Sequence, residues 1–137
     1  MLKMTREQYD SIVSHALKNV PNEACGLLGG KAAGKDAQVQ QVYLLVNADN
    51  SPEHFSMKPA EQFAAVKAMR KSGQQMLGNF HSHPATPARM SEEDKRLAFD
   101  KTIRYLILSL QETEPKLKCF HIDKNAFVTE EKIEVTA

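Results

Sequence analysis

The sequence predicts an α+β fold: a single domain spanning residues 1–137, built on a central mixed β-sheet flanked by helices. Segments 5–19 and 59–71 carry apolar residues at helical spacing, whereas the other apolar runs are short and bounded by Gly, Pro or Asn, as strands are. No repeat, low-complexity stretch or linker separates them. At 137 residues with 42% hydrophobic content, such a chain buries roughly two-thirds of its extended surface, enough for one core and no second domain.

Thr5 suits the N-cap of a first helix reaching about Asn19, with Tyr9, Ile12, Val13, Ala16 and Leu17 on one apolar face and Pro21 ending it. Ala24 to Gly30 reads as a short apolar strand. Lys31 to Asp36 reads as a turn into a strand from about Gln38 to Asn47, which makes a hairpin. Ala48 to Met57 is a loop, with a short extended piece at His54 to Met57. Pro59 fits the first turn of a second helix to Lys71, with Phe63, Val66 and Met69 inward and Gly73 as its stop. Gln74 to Phe80 is a buried strand continuing into His81 and His83. A helix starts after Ser91, running through Phe99. Ile103 to Leu110, Lys116 to Ile122 and Phe127 to Val135 are further strands, with turns at Glu112 to Pro115 and Asp123 to Asn125.

Composition excludes several classes. Eighteen basic and 17 acidic residues are interspersed for a net charge of +1, so there is no basic field for nucleic acid and no polybasic membrane patch. The first residues, Met-Leu-Lys-Met-Thr-Arg, hold no apolar signal core, and no stretch approaches the roughly 20 apolar residues of a membrane span. A cytoplasmic location is the default expectation. Cys25 and Cys119 are too few for a disulfide framework or a Cys-rich zinc site, and both read as small buried residues. There is no His-Glu-x-x-His helix and no Pro-Cys-x-x-Cys partner of a deaminase site.

The informative segment is 81–94, His-Ser-His-Pro-Ala-Thr-Pro-Ala-Arg-Met-Ser-Glu-Glu-Asp. On a strand, residues i and i+2 share a face, so His81 and His83 can converge on one ion. Pro84 ends the ladder, and the loop to Met90 turns the chain so that Asp94, in a first helical turn, can return as a third ligand. Taken alone, Ser91 and Asp94 have the spacing of a capping box, and a lone histidine pair is an ordinary surface feature. The combination is different. Five fixed positions recur by chance on the order of once in 10^7 starting points. Two imidazoles and a carboxylate form a catalytic zinc site that keeps a fourth position for water and lowers its pKa to roughly 7.

The string His81-x-His83-Pro84-x6-Ser91-x2-Asp94 resembles the JAMM motif of the MPN/Mov34 metalloprotease family, and the order of helices and strands resembles that family's domain over nearly the whole chain. The resemblance implies an MPN-like (cytidine-deaminase-like) fold and one zinc ion per chain, held by His81, His83 and Asp94. It further implies an upstream glutamate, here Glu23, that moves the proton, and a serine, Ser91, that donates to the developing oxyanion. By itself Glu23 reads as a solvated charge where a strand begins. The reaction implied is hydrolysis of a peptide or isopeptide bond after the C-terminal Gly-Gly of a ubiquitin-like or sulfur-carrier protein, releasing for example a cysteine. The short stretch from Asn47 to Pro59 favours a small carrier. Two other readings stay open: a zinc-stabilised interaction module without activity, to which Cys25 could add a fourth ligand, and the branch associated with DNA repair, whose histidine pair is followed by Pro-Ser-Gly rather than Pro84-Ala85-Thr86. His15, His54 and His121 read as surface or packing residues, His54 being the one beside a possible channel. Asn79 and Phe80 either shape the site or pack. Spacing assigns Thr86 and Arg89 no role, and the oligomeric state is not legible.

Overall fold

The computed structural model describes all 137 residues. In chain order the elements are β1 (Leu2–Thr5), α1 (Arg6–Asn19), β2 (Cys25–Ala33), β3 (Asp36–Leu45), α2 (Pro59–Lys71), β4 (Gln75–His83), α3 (Glu92–Leu97), β5 (Arg104–Ser109), β6 (Lys116–Ile122), β7 (Val128–Glu131) and β8 (Ile133–Thr136). The strands form one sheet in the order β7-β6-β5-β4-β2-β3-β1-β8. It is mixed, as expected: β4 runs parallel to β5, β1 runs parallel to both β3 and β8, and the other pairs are antiparallel.

Several expectations need correction. Leu2 to Thr5 was not expected to be a strand, yet Leu2 and Met4 are fully buried on it; the alternation is real but only four residues long. Residues 127–135 do not form one strand. β7 pairs with β6 and β8 with β1, so the two edges of the sheet are joined through Lys132 alone and the sheet curls until they adjoin, with the Leu2 N–H donating to the Lys132 carbonyl at 2.9 Å. The turn expected over Lys31 to Asp36 is tighter, because both strands extend to meet at Gly34 and Lys35, with Gly34 at φ +62°. Helix α3 stops at Leu97, leaving Phe99 81% exposed beyond it.

The helices cover opposite faces. α1, capped by Thr5 and Gln8 in a reciprocal box, lays Ile12 and Ala16 on the face that carries Leu28, Phe80, Leu106 and Leu108. Leu17, expected on that apolar stripe, is 54% exposed at its margin. α2 covers the second face with Ala65 and Met69 over Cys25, Leu27 and Leu45. Phe63, expected inward, is 71% exposed: it lies two residues, about 200°, from Ala65, whose small side chain lets α2 approach the sheet. The segment Ala88 to Ala98 covers the rest of this face, against Tyr105, Ile107, Phe120 and Ile122.

Close packing between strands sets one testable cost. Gly78 sits mid-sheet, in register with Leu28 on one side and Arg104 on the other, and a Cβ there would come within 2.3 Å of the Arg104 carbonyl oxygen. Gly78→Ala must therefore part β4 from β5 locally. It is expected to destabilise the fold by about 1–3 kcal/mol in chemical denaturation; an unchanged midpoint would show that the strands have slack at this point.

Candidate metal centre

β4 is flanked by strands on both sides, so its C-terminal stretch is buried: His81 is 3% and His83 5% exposed. Strand alternation turns both imidazoles to the α2–α3 face, because Cys25 and Ile107, which stand opposite His81 in register, belong to the clusters on that face. Ser82 points the other way. Its Oγ accepts from the Ala24 N–H at 2.8 Å and its own N–H donates to the Ala24 carbonyl at 3.0 Å, which fastens the residue after Glu23 to the histidine strand.

The loop after Pro84 brings α3 back over the histidines. His81 Nε2 lies 3.1 Å from His83 Nε2 and 3.2 Å from Asp94 Oδ1, and His83 Nε2 lies 3.2 Å from Asp94 Oδ2. An ion with bonds of 2.0–2.1 Å in tetrahedral geometry sets its donors about 3.3 Å apart. Two nitrogens and one carboxylate at this spacing therefore fit zinc. His83 Nδ1 donates to the Pro87 carbonyl at 2.8 Å, which orients the ring and leaves Nε2 as the nitrogen that an ion would take. No fourth His, Cys, Asp or Glu joins the three. Cys25 packs among Leu27, Leu45 and Met69, and burial pushes its thiol up to about 12, which makes it a poor ligand.

The capping and ligand readings of Asp94 hold together. Ser91 Oγ accepts from the Asp94 N–H, and the Ser91 N–H donates to Asp94 Oδ2, both at 3.0 Å. That box aims the carboxylate at the histidines. Burial alone would raise the Asp94 pKa, but the bonds from His81 and His83 hold it well below the usual carboxylate range. Burial pushes His81 down. For His83, burial also works downward but is outweighed by the bonds to Asp94 and Pro87, which raise it. An ionised carboxylate between two facing imidazole nitrogens is a cation site.

Glu23 is 5% exposed, outside the three-donor cluster but close enough for its carboxyl to feel His83 and Asp94. Its backbone is pinned on two sides. The Glu23 N–H donates to the Ser51 carbonyl at 2.8 Å, and Asn47 Nδ2 donates to the Glu23 carbonyl at 2.9 Å. Burial raises its pKa to about 7, partly offset by His83. A carboxyl with a folded pKa above its unfolded value adds stability that is fully present below pH 4.5 and is lost as pH rises through about 7. With chelator present, Glu23→Gln is therefore expected to raise the unfolding free energy at pH 8 by about 1–3 kcal/mol and to change little at pH 4. Equal effects at the two pH values would show that the carboxyl does not titrate in this range.

Sequence reasoning missed Asn47. It is 3% exposed; its Nδ2 also reaches the His54 carbonyl, and its Oδ1 accepts from Asp49 and Ser56, so one side chain shapes the loop that walls the site. The only trace in sequence is a polar residue closing an apolar strand. Phe55 stacks on His81 with ring centroids 4.6 Å apart. His54 is exposed and pairs through Nδ1 with Glu93 Oε2 at 2.6 Å. His15 instead ties α1 to the Cys25 and Leu45 carbonyls, and His121 pairs with Glu131. Arg89 is exposed, and Thr86 contributes its carbonyl to Ser109.

Comparison with known proteins shows the family. The family model for prokaryotic homologs of the JAB domain matches residues 5–123. The chain is 30% identical over 136 residues to the CysO-cysteine peptidase of Mycobacterium tuberculosis, covering 98% of this chain and 91% of that one. It is 30% identical over 95 residues to a probable TtuB-protein conjugate cleaving protease of Thermus thermophilus, covering 69% and 61%. Among solved structures, a protein of Desulfitobacterium hafniense superposes with TM-score 0.92 at 57% identity, over 99% of this chain and 93% of that one. A JAB1/MPN domain protein of Archaeoglobus fulgidus superposes with TM-score 0.61 at 23% identity, over 98% and 99%, a likeness of fold. No helix is long and apolar enough to cross a membrane.

Proposed function

Because this chain belongs to the family of prokaryotic JAB-domain proteins, we propose that it is a zinc peptidase that cuts after the C-terminal Gly-Gly of a ubiquitin-like or sulfur-carrier protein, with residues 1–137 as its catalytic domain. One observation carries the reading. His81 and His83 turn nitrogens 3.1 Å apart toward the Asp94 carboxylate, one oxygen to each at 3.2 Å, and no fourth protein ligand joins them, an open arrangement that structural zinc sites lack. The names of the mycobacterial and Thermus relatives support the substrate class.

Zinc, which His81, His83 and Asp94 would hold, would supply Lewis acidity there, lowering the pKa of water to about 7 and polarising a carbonyl. Glu23 takes the proton of the attacking water and delivers it to the departing amine. The amide C–N bond breaks, the water oxygen stays in the new carboxylate, and the amine leaves protonated. A carboxyl that burial makes readier to hold a proton suits both halves of that exchange. Ser91 Oγ already accepts from the Asp94 N–H, so its own O–H is free to donate to the substrate carbonyl oxygen as charge develops there.

The carrier tail lies extended beside the Ala48–Met57 loop, whose ends are paired through the Asn47–Met57 bridge. Glycines fit where backbone must come close to the metal donors. A carrier ending Gly-Gly-Cys is expected to lose its last residue, and one ending Gly-Val-Cys to be cut at least about tenfold more slowly, the scale of one steric contact in a pocket. Intact mass spectrometry reads both. Equal rates would make the protein a general peptidase rather than a reader of Gly-Gly.

A further inference from the structure

Beside the metal donors lies a small cavity that the proton transfers do not use. Phe55, Met90, Leu97 and Tyr105 form its walls, and His81 and Asp94 close one end. Its volume is about 40 Å³; at roughly 10–15 Å³ for each water-sized group, that is room for about three. The residues that line it hold two buried polar atoms without a hydrogen-bond partner, Asn79 Oδ1 and His81 Nδ1. A buried amide oxygen without a donor is uncommon, and beside a cavity it marks a place for a donor brought by a ligand.

The position of the cavity gives it a role. Glu23 precedes β2 and Asn47 follows β3, to one side of β4, whereas Asn79 and Tyr105 are register partners on β4 and β5, to the other side of Glu23 and Asn47. A tail running along the Ala48–Met57 loop reaches His81, His83 and Asp94 from the β2–β3 side. The residue beyond the scissile amide then falls on the β5–α3 side, where the cavity lies: apart from Phe55, which the loop reaches across to His81, its walls come from β4, β5 and the Met90–Leu97 segment, and neither Glu23 nor Asn47 lines it. We propose that this cavity receives the side chain of the released residue and selects a small, weakly polar one, such as cysteine's, over the lysine link of an isopeptide. The inference rests on the reading of the site as a hydrolase of carrier tails.

The fit is chemical as well as spatial. A cysteine side chain is one methylene and one thiol: it fills a cavity of this size, its carbon and sulfur meet Met90, Leu97 and the rings of Phe55 and Tyr105, and its S–H can donate to Asn79 Oδ1. An isopeptide presents the lysine Nζ instead. Its flexible methylene chain must run past the rim to a second protein, leaving no side chain to seat in the cavity and no donor for Asn79.

The test compares zinc-loaded full-length protein on ubiquitin-fold carriers ending Gly-Gly-Cys and Gly-Gly-Trp, and on the same carrier joined through Gly-Gly to a peptide lysine. Cleavage of the cysteine tail is expected to exceed the other two by about tenfold or more in kcat/KM, the discrimination a single apolar pocket supplies. Leu97 is 52% exposed at the rim, so its variants can change the cavity without disturbing the core. Leu97→Trp is expected to slow the cysteine tail by about tenfold, and Leu97→Ala to bring the tryptophan tail to within about threefold of it, with zinc content unchanged in both. Equal rates on the three substrates, or a cysteine-to-tryptophan ratio that neither variant moves, would overturn the inference while leaving the hydrolase reading intact. If the zinc-loaded protein cuts none of them, the hydrolase reading falls and this inference with it.

Discussion

Alanine at Asp94 is expected to empty the metal centre and abolish hydrolysis. Asp94 supplies the only negative charge among the three donors, and each of its oxygens faces one imidazole at 3.2 Å. Without it, two neutral nitrogens 3.1 Å apart remain, too few for a stable site. The loss in zinc affinity should exceed the roughly 10–100-fold that follows removal of an outer partner of a metal ligand. The fold should survive, because α3 is short, none of its residues is fully buried, and Ser91 still caps it. Metal analysis after dialysis, with circular dichroism as the control, checks this. Full zinc occupancy in Asp94→Ala, or in His83→Ala, would remove these residues from the metal site.

Glutamine at Glu23 is expected to separate binding from chemistry. The substitution keeps the shape of the side chain and the backbone bonds to Ser51 and Asn47, and it touches none of the three donors. Zinc should bind as before. Turnover should fall by about 10^2- to 10^4-fold, the range for a general acid–base, because glutamine can neither take the proton nor return it. With chelator present, the same variant should be the more stable one at pH 8, where the buried carboxylate of the natural protein is charged. Loss of rate together with gain of stability is the signature of a group placed for function at a cost to the fold. Wild-type turnover in Glu23→Gln would exclude it from the mechanism.

Much of the site was legible because its determinants are local. His81 and His83 share a face by strand alternation, Ser91 and Asp94 form a box by helix geometry, and one Pro-bearing loop joins the two pairs. Glu23 was legible only through the family resemblance, since what brings it to the histidines is Ala24 bonding to Ser82, 58 residues away in the chain. Asn47 and Phe55 could not be read at all. An asparagine that bonds four loop groups, and a ring that stacks on a histidine, look in sequence like any loop residues. The fold followed the same division. α1 matched where Thr5 and Gln8 cap it, whereas β1 forms because β3 and β8 flank it at one end of the sheet and β8 because β1 is there to pair with. Phe63 misled because a helix's buried face is set by what lies beneath it, and Ala65 allows closer contact with Leu27 than a phenylalanine would.

The central claim is that His81, His83 and Asp94 hold the one ion on which carrier processing depends. The most direct measurement titrates zinc into chelator-stripped protein while the mass of a Gly-Gly-Cys carrier is followed. The account predicts no loss of the terminal cysteine before zinc is added, a rate rising in proportion to added zinc, and a plateau at one ion per chain. Full processing by the stripped protein, or one ion bound at that plateau with no Gly-Gly tail cut, would contradict it.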